Sequence, residues 1–364
     1  MSRFLCIICL VFNFSFVVLG QLDKSLALQI ATSTPDNIRT STELSKYWLS
    51  KTDSIEGYYA VAYAWVATHI RYDVAQVKNP LMLPGNELAK RACNQRKAVC
   101  SGYANLLVSL LADAHIQSYV IEGYTKKGET LKDESHAWVL VNIREHWMFC
   151  EPTWGAGYVN DEKFTPLFTW NWFNISPFEF IKTHLPFDVV WQAMPSIVLP
   201  KCFVKPSCNF TDTLVYACID TIRNLSKKAE IEQLESVLRR VDEYAVRNSS
   251  TLKYRYVLAH NIEVLKLNRD VTLRNEVAAK LNVLIKSTQQ ASELLNRYYG
   301  LKSKKQEKTE KATLYLKQAN EIVEKSSTQY NEIENISPDL KENARMLRKT
   351  LTELETMITK ELDH

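Results

Sequence analysis

The sequence predicts an α+β domain followed by an all-α region, because composition changes sharply along its 364 residues. All eight tryptophans lie between Trp48 and Trp191, and ten of the eleven prolines occur by Pro206. Beyond about residue 210 the chain is rich in Leu, Lys, Glu and Ala and has almost no turn residues. A chain of this length favours roughly two domains. We therefore expect a boundary near 195–210, with one domain over 21–200 and a helical domain over 201–364.

The front region alternates between helical and strand patterns. Apolar residues recur at helical spacing over 54–73, and "KAVCSGYANLL" (97–107) places Cys100 where a second helix begins. The segments 117–125, 136–143 and 146–154 are rich in β-branched and aromatic residues and predict strands. This order predicts a helix that carries Cys100 and packs on an antiparallel sheet.

The C-terminal region shows apolar residues three and four positions apart, as in a coiled coil or helix bundle. Two such series are Ile231, Leu234, Leu238, Val241, Ala245 and Leu340, Ala344, Leu347, Leu351, Leu354, Ile358. We expect breaks at 248–250 and at Gly300, and a helix start at Ser337-Pro338. A packed antiparallel bundle and a surface for a partner helix both fit this pattern.

The first 20 residues have the layout of a secretory signal peptide. Arg3 gives a positive start, residues 4–18 are almost wholly apolar, and Gly20 supplies a small residue at the expected cut. The apolar stretch is short for a membrane span, which needs about 20 apolar residues. We expect residues 1–20 to be removed, leaving a secreted or periplasmic protein with no stable membrane span.

Export affects the cysteines, because disulfides form in oxidising compartments. Six cysteines remain after the signal peptide: Cys93, Cys100, Cys150, Cys202, Cys208 and Cys218. Sequence cannot rank their possible pairings, although the close spacing of the last three favours a local bridge among them.

Several function classes lack support in the sequence. The formal charge of +4 is spread along the chain without a basic block, so we expect no nucleic-acid binding. The sequence contains neither a cysteine–histidine cluster with zinc-site spacing nor an EF-hand calcium loop. We therefore expect no metal and no cofactor.

The strands bring a base and a carboxylate to one place. Alternation puts His136 on the face of Trp138 and Leu140, and Glu151 ends the next strand. A short turn at 144–146 makes the two strands a hairpin, so His136 and Glu151 lie at the same end. A helix start and an imidazolium both favour a cysteine thiolate, and a carboxylate fixes the imidazole tautomer. Cys100, His136 and Glu151 are therefore candidate catalytic residues.

Each of these residues also has a structural explanation. A cysteine near a helix start is often structural or disulfide-bonded, and a histidine on a strand is often a core residue. A glutamate before proline is often simply exposed. The catalytic hypothesis depends on the three residues occurring together, in this order, on elements that can converge.

Four separated motifs resemble the transglutaminase-like superfamily over residues 55–195, closest to its kyphoscoliosis-peptidase branch. They are "AYAWVATHIRYD", "RKAVCSGYANLLVSLLADAHIQSYVIEGYTK", "SHAWVLVNIREHWMFCEPTWGAGYV" and "FEFIKTHLPFDVVWQAM". The resemblance implies a papain-like core with a Cys-His-Asp triad, whose members fall on Cys100, His136 and Glu151. Glutamate at the last position departs from the usual aspartate.

The resemblance also suggests supporting roles for other residues. Gln95, upstream of the cysteine, is a candidate oxyanion donor, as in papain-like enzymes. Tyr103, Trp138 and Trp154 are candidates to line the cleft, although as aromatic residues they also suit a core.

The expected reaction is attack by the Cys100 thiolate on an amide carbonyl of a protein or peptide substrate. Water as the acceptor gives a cysteine peptidase or amidase, and a lysine amine gives a cross-linking transglutaminase. We favour hydrolysis, since nothing in the sequence identifies an amine site. The alternative is a catalytically inactive module that binds protein or cell-wall peptide, with the C-terminal helices as an interaction surface for a partner.

Overall fold

A computed structural model describes residues 22–363 except positions 80, 82, 207, 209, 211 and 212. The expected signal peptide, residues 1–20, lies outside the described residues. The chain separates into two compact units, divided between Leu258 and Ala259. None of the helices in the described ranges is both long enough and apolar enough to cross a membrane.

Helices form most of the chain before the central sheet. In chain order they are α1 Lys24–Thr32, α2 Ser41–Leu49, α3 Ile55–His69, α4 Val74–Lys78, α5 Gly85–Gln95 and α6 Cys100–Asp113. Strands β1 Arg71–Tyr72 and β2 Lys97–Ala98 pair in parallel. Helix α3 is apolar and buried on nearly all sides, which places it inside the core. The helix expected over 54–73 thus ends at His69.

The sheet and its surrounding short elements follow α6. The strands are β3 Ser118–Lys127, β4 Thr130–Leu131, β5 His136–Ile143, β6 His146–Cys150, β7 Gly157–Asn160, β8 Lys163–Pro166, β9 His184–Pro186, β10 Ser196–Val198 and β11 Thr213–Val215. The helices are α7 Pro152–Ala156, α8 Pro177–Phe180, α9 Pro200–Phe203, α10 Cys218–Leu225, α11 Glu230–Tyr244, α12 Ser249–Lys302, α13 Glu310–Asn331 and α14 Lys341–Leu362. Short 3-10 turns lie at Trp170–Trp172, Val189–Gln192 and Pro338–Leu340.

The central sheet is antiparallel, in the order β4-β3-β5-β6, and β9 also pairs with β3. Gly123 is paired with His136 of β5 and with Pro186 of β9. A Cβ at Gly123 would lie 2.1 Å from the Leu185 carbonyl oxygen and 2.7 Å from Pro186 Cα. Only glycine therefore lets β9 approach β3 this closely.

The two faces of β5 and β6 contribute to different cores, as the alternation of their residues predicts. One face packs with the helices α1 to α6 through Ala137, Val139, Val141 and Cys150. The other packs with Phe180, Val190 and Ile222 through Trp138, Leu140, Trp147 and Phe149. His136 precedes Trp138 by two residues and so lies on the second face, at the open end of the hairpin.

The second unit is all-α, which confirms the predicted fold class for the C-terminal region. Residues 259–302 of α12 pack with α13 and α14 through leucines, alanines and other apolar residues. The break expected at Gly300 is wrong: α12 continues to Lys302, and the turn follows it. A helical glycine costs only about 1 kcal/mol, and Tyr298 and Leu295 anchor this last part of α12 in the core.

The change in composition near 200 and the division into compact units fall at different places. Helices α10 and α11 belong to the first unit, where Ile222 packs against the sheet core. The guanidinium of Arg240 binds the carboxylate of Asp188 through two 2.7 Å hydrogen bonds. The Tyr124 hydroxyl lies 2.7 Å from Thr251 Oγ1. Residues 213–258 are helix-rich in sequence, yet these contacts fold them onto the α+β unit.

The cysteines include one disulfide, which joins Cys202 to Cys208. The local bridge expected in this segment is therefore present, and Cys218 does not take part in it. Cys93, Cys100, Cys150 and Cys218 are free thiols.

Replacing Arg240 tests whether α11 is part of the first unit. Asp188 is fully buried and the Arg240 side chain is 10% exposed. Arg240→Met leaves the buried carboxylate without its partner, so we expect a loss of about 3–5 kcal/mol in free energy of unfolding. Urea denaturation measures this loss.

Arg255→Met is the matched control, because Arg255 pairs with Asp242 at an exposed site. It should change stability far less than Arg240→Met. Equal effects of the two replacements would contradict the packing of α11 against Asp188.

Candidate active site

Cys100 is the first residue of α6, and its side chain is partly exposed. The N-cap residue, Val99, offers no side-chain acceptor, and the first N–H groups of any helix lack intrahelical partners. Gly102 lets this helix start lie close to β2, because a Cβ there would meet Ala98 Cβ at 2.5 Å. The thiol and the backbone N–H of Cys100 thus lie together at a helix N-terminus, where the helix dipole favours an anion.

Glu151 uses its two carboxylate oxygens for different tasks. It is fully buried and caps α7: Oε1 accepts hydrogen bonds from the backbone N–H of Thr153 at 2.7 Å and of Trp154 at 3.2 Å. Oε2 lies 2.7 Å from His136 Nε2. The sequence carried a signal for the first task, since an acceptor followed by proline at the first helical position marks a helix start.

His136 lies between Glu151 and Cys100. Its Nε2 binds Glu151, which leaves Nδ1 to face other groups, and Cys100 is near enough to affect the pKa of the ring. Burial lowers the pKa of His136, but the charges and hydrogen bonds of Glu151 and Cys100 raise it more, to about 10. The neighbours of His136 therefore favour its charged form at neutral pH. The structure brings together the three residues that sequence reasoning selected.

His184, which sequence reasoning missed, lies next to this group. It is fully buried, and its Nε2 is 3.8 Å from Glu151 Oε2. The imidazole ring stacks on Phe180 with centroids 4.2 Å apart and lies 4.5 Å from the ring of Trp154. The only sequence signal for His184 was its place in the last of the four motifs. Nothing in the sequence gave it a chemical role.

The three aromatic residues predicted to line the cleft differ in how deeply they are buried. Trp154 is partly exposed, and its ring lies 5.6 Å from that of His136. Tyr103 and Trp138 are fully buried and offer no surface to a cleft. The Tyr103 hydroxyl donates a hydrogen bond to the Ile70 carbonyl in the core. Their burial corrects the expectation that these two side chains line the cleft, since core packing uses their whole surface.

Gln95 is exposed in the last turn of α5. Among the described residues, its side chain makes no hydrogen bond to the Cys100 group. Its role as an oxyanion donor stays a prediction, and the backbone N–H of Cys100 is the donor that the helix start supplies.

A metal ion has one candidate site in the described part of the chain. Donor atoms of His136, Glu151 and His184 lie within 4.8 Å of one another. Zinc bonds of roughly 2.0–2.2 Å need closer donors, and Glu151 Oε2 already binds His136. The stacked, buried His184 ring would have to move to complete such a site.

Comparison with known proteins identifies a family similarity over part of the chain. Residues 44–152 match the family model described as the Transglutaminase-like superfamily. The chain thus carries a transglutaminase-like domain of mixed helix and sheet, with a long helical region after it. The match supports a papain-like cysteine enzyme or a related module.

Other comparisons add little. No curated protein matches the sequence. A solved structure described as "Crystal structure of a TGase" has 16% sequence identity, and the similarity covers 42% of this chain and 38% of that chain. Its TM-score of 0.24 carries no argument about fold or function.

The charge on His136 predicts a pH-dependent contribution to stability. Because the pKa rises from an ordinary 6.5 to about 10 on folding, the stabilisation is complete below pH 6.5 and is lost as pH rises towards 10. The difference in free energy of unfolding between wild type and His136→Gln should therefore be largest near pH 6 and shrink by pH 10.

Urea denaturation at several pH values measures that difference. His146→Gln, at an exposed position on β6, supplies the baseline. A difference that is constant from pH 6 to 10 would contradict an imidazolium held between Glu151 and Cys100.

Proposed function

We propose that the first unit is a cysteine peptidase or amidase whose nucleophile is Cys100. The observation that carries this proposal is the 2.7 Å contact between Glu151 and His136, together with the placement of Cys100 at a helix start near enough to raise the pKa of His136. The pKa of His136, raised to about 10, favours a thiolate–imidazolium pair at neutral pH, and a thiolate is the reactive form of cysteine. The placement of Cys100 at a helix start adds a backbone oxyanion donor.

The proposed reaction has two steps. The Cys100 thiolate attacks an amide carbonyl carbon, forming a C–S bond, while the backbone N–H of Cys100 binds the oxyanion. The C–N bond then breaks as His136 Nδ1 donates its proton to the leaving amine. Water attacks the resulting thioester and gives a proton to His136. The C–S bond then breaks, which releases the acid and restores the Cys100 thiolate beside the His136 imidazolium.

We favour water over an amine as the acceptor, since nothing in the sequence identifies an amine site. The alternative is an inactive binding module, which would retain the fold without an activated thiol. The exposed C-terminal helices would suit a protein partner in either case.

We also propose export. The signal-like residues 1–20 support it, and so does the Cys202–Cys208 disulfide, since such bonds persist in oxidising compartments. Expression in a secreting host should yield a mature chain that begins at Gln21. N-terminal sequencing of the secreted protein checks this, and an intact Met1 start would contradict it.

Labelling of Cys100 tests the proposed activity. Iodoacetamide at pH 6 should alkylate Cys100 faster than the buried thiols Cys93, Cys150 and Cys218, as mass spectrometry of peptides would show. Glu151→Gln should slow this labelling strongly. The backbone donors fix the amide oxygen at the Oε1 position, so the amide N–H₂ faces His136 and imposes the tautomer that cannot accept the thiol proton.

Two further variants complete the test. Glu151→Asp keeps the charge and a capping acceptor, so it should stay close to wild type. His136→Ala should cost at least as much as Glu151→Gln, because it removes the base. Equal Cys100 reactivity in wild type, Glu151→Gln and His136→Ala would contradict an activated thiol and support the inactive binding module.

The identity of the acyl acceptor is tested on protein whose Cys100 reacts with iodoacetamide. Incubation with a mixed peptide library, with and without a fluorescent primary amine, distinguishes hydrolysis from transfer. We expect new peptide termini or deamidated side chains without amine incorporation. Amine incorporation would instead identify a transglutaminase.

A further inference from the structure

We propose that His184 is a positioning residue of the active site, which presents its Nε2–H to Glu151 Oε2 and keeps that carboxylate ionised and directed at His136. This inference rests on the proposed function, since it assigns a further residue to the same thiol chemistry. Its support comes from position, hydrogen bonding and packing.

The sheet brings the two imidazoles together. His184 begins β9 and pairs with Thr125 of β3, while His136 begins β5 and pairs with Gly123 of the same strand. The close approach of β9 at Gly123 leaves the ring centroids of His136 and His184 5.9 Å apart. The Nε2 atoms of His136 and His184 lie 2.7 Å and 3.8 Å from the same oxygen, Glu151 Oε2.

The neighbouring threonine fixes the tautomer of His184. The Thr183 hydroxyl lies 2.8 Å from His184 Nδ1 and 3.4 Å from the Phe180 carbonyl oxygen. We assign its proton to the shorter contact, so Nδ1 accepts and Nε2 carries the hydrogen. His184 stays neutral, because burial and the charge of His136 hold its pKa well below the usual value.

The packing alone does not require a histidine. The ring of His184 lies among Phe180, Trp138, Trp154 and Trp172, where phenylalanine would fit the same aromatic surroundings. Yet His184 Nε2 is buried without a hydrogen-bond partner in the described structure. A buried polar atom without a partner is destabilising and calls for an explanation.

The carboxylate of Glu151 supplies that explanation. A distance of 3.8 Å is too long for a hydrogen bond, but an N–H dipole stabilises a negative charge at that range in a water-excluded site. When His136 gives its proton to the leaving group, Glu151 loses its cationic partner. The N–H of His184 remains to stabilise the carboxylate at that stage.

Other titratable groups near Glu151 do not change charge in the relevant range. Tyr63, Tyr72, Tyr103 and Cys150 are electrostatically coupled to Glu151, and burial raises the pKa of each. They stay neutral between pH 4 and 9. Glu122 is coupled to His136, and burial raises its pKa, so it can also titrate in that range. Because Glu122 is present in every variant, a difference between variants reports on Glu151, His136, Cys100 or His184.

The test is the pH profile of Cys100 alkylation by iodoacetamide, measured from pH 4 to 9 on the full mature chain. His184→Phe keeps the aromatic ring and removes the N–H, so the negative charge of Glu151 should be less stabilised. We expect the acid limb to move up by about one pH unit, with a roughly tenfold lower rate on that limb. His184→Gln, which offers an amide N–H at a similar position, should restore the wild-type midpoint.

Two more variants separate this role from packing. Thr183→Val removes the hydroxyl that fixes the tautomer and leaves the buried ring in place, so it should shift the acid limb in the same direction. It also serves as the test if His184→Phe does not fold. Phe180→Leu disturbs the stack on His184 without removing a polar group and should leave the midpoint unchanged.

The outcomes distinguish this inference from the proposed function. If wild type reacts faster than His136→Ala at pH 6 but His184→Phe and Thr183→Val match the wild-type profile, the role of His184 is overturned and the cysteine enzyme stands. A shift in Phe180→Leu equal to that in His184→Phe would also overturn it, since packing would then be the cause. If wild type and His136→Ala react equally, both proposals fail.

Discussion

The buried carboxylate of Glu151 is the constraint on which the rest of the site depends. A charge with no exposure to water must be compensated by hydrogen bonds or by an opposite charge. Here Oε1 accepts hydrogen bonds from two backbone N–H groups at the start of α7, and Oε2 is hydrogen-bonded to His136 Nε2. The same side chain therefore fixes a helix, the tautomer of a base and, through that base, the state of Cys100.

The sheet makes this arrangement possible through one backbone position. Gly123 pairs on β3 with His136 and with Pro186, and a side chain there would collide with the β9 backbone. The close strands place two histidines around one carboxylate oxygen, one charged and one neutral. Their opposite pKa shifts follow from their surroundings: Glu151 and Cys100 raise the pKa of His136 against its burial, whereas burial and the neighbouring His136 lower the pKa of His184.

The helices after the sheet have two structural roles despite their similar composition. Helices α10 and α11 complete the first unit, and the Arg240–Asp188 pair is buried at that contact. Residues from 259 onward form a bundle with its own apolar core. The surface helices of both regions have the same apolar periodicity, because each needs only one buried stripe whatever it packs against.

The sequence by itself determined the features that depend on short-range periodicity. Alternation on β5 and β6 placed His136 and Glu151 at the same end of a hairpin, and the pattern after Val99 placed Cys100 at a helix start. Only the tertiary structure decided what depends on distant contacts. Tyr103 and Trp138 are buried, and α12 continues through Gly300. Helices α10 and α11 pack in the first unit, and His184 lies next to Glu151. Local patterns show which face of an element is apolar, but not which distant element covers that face.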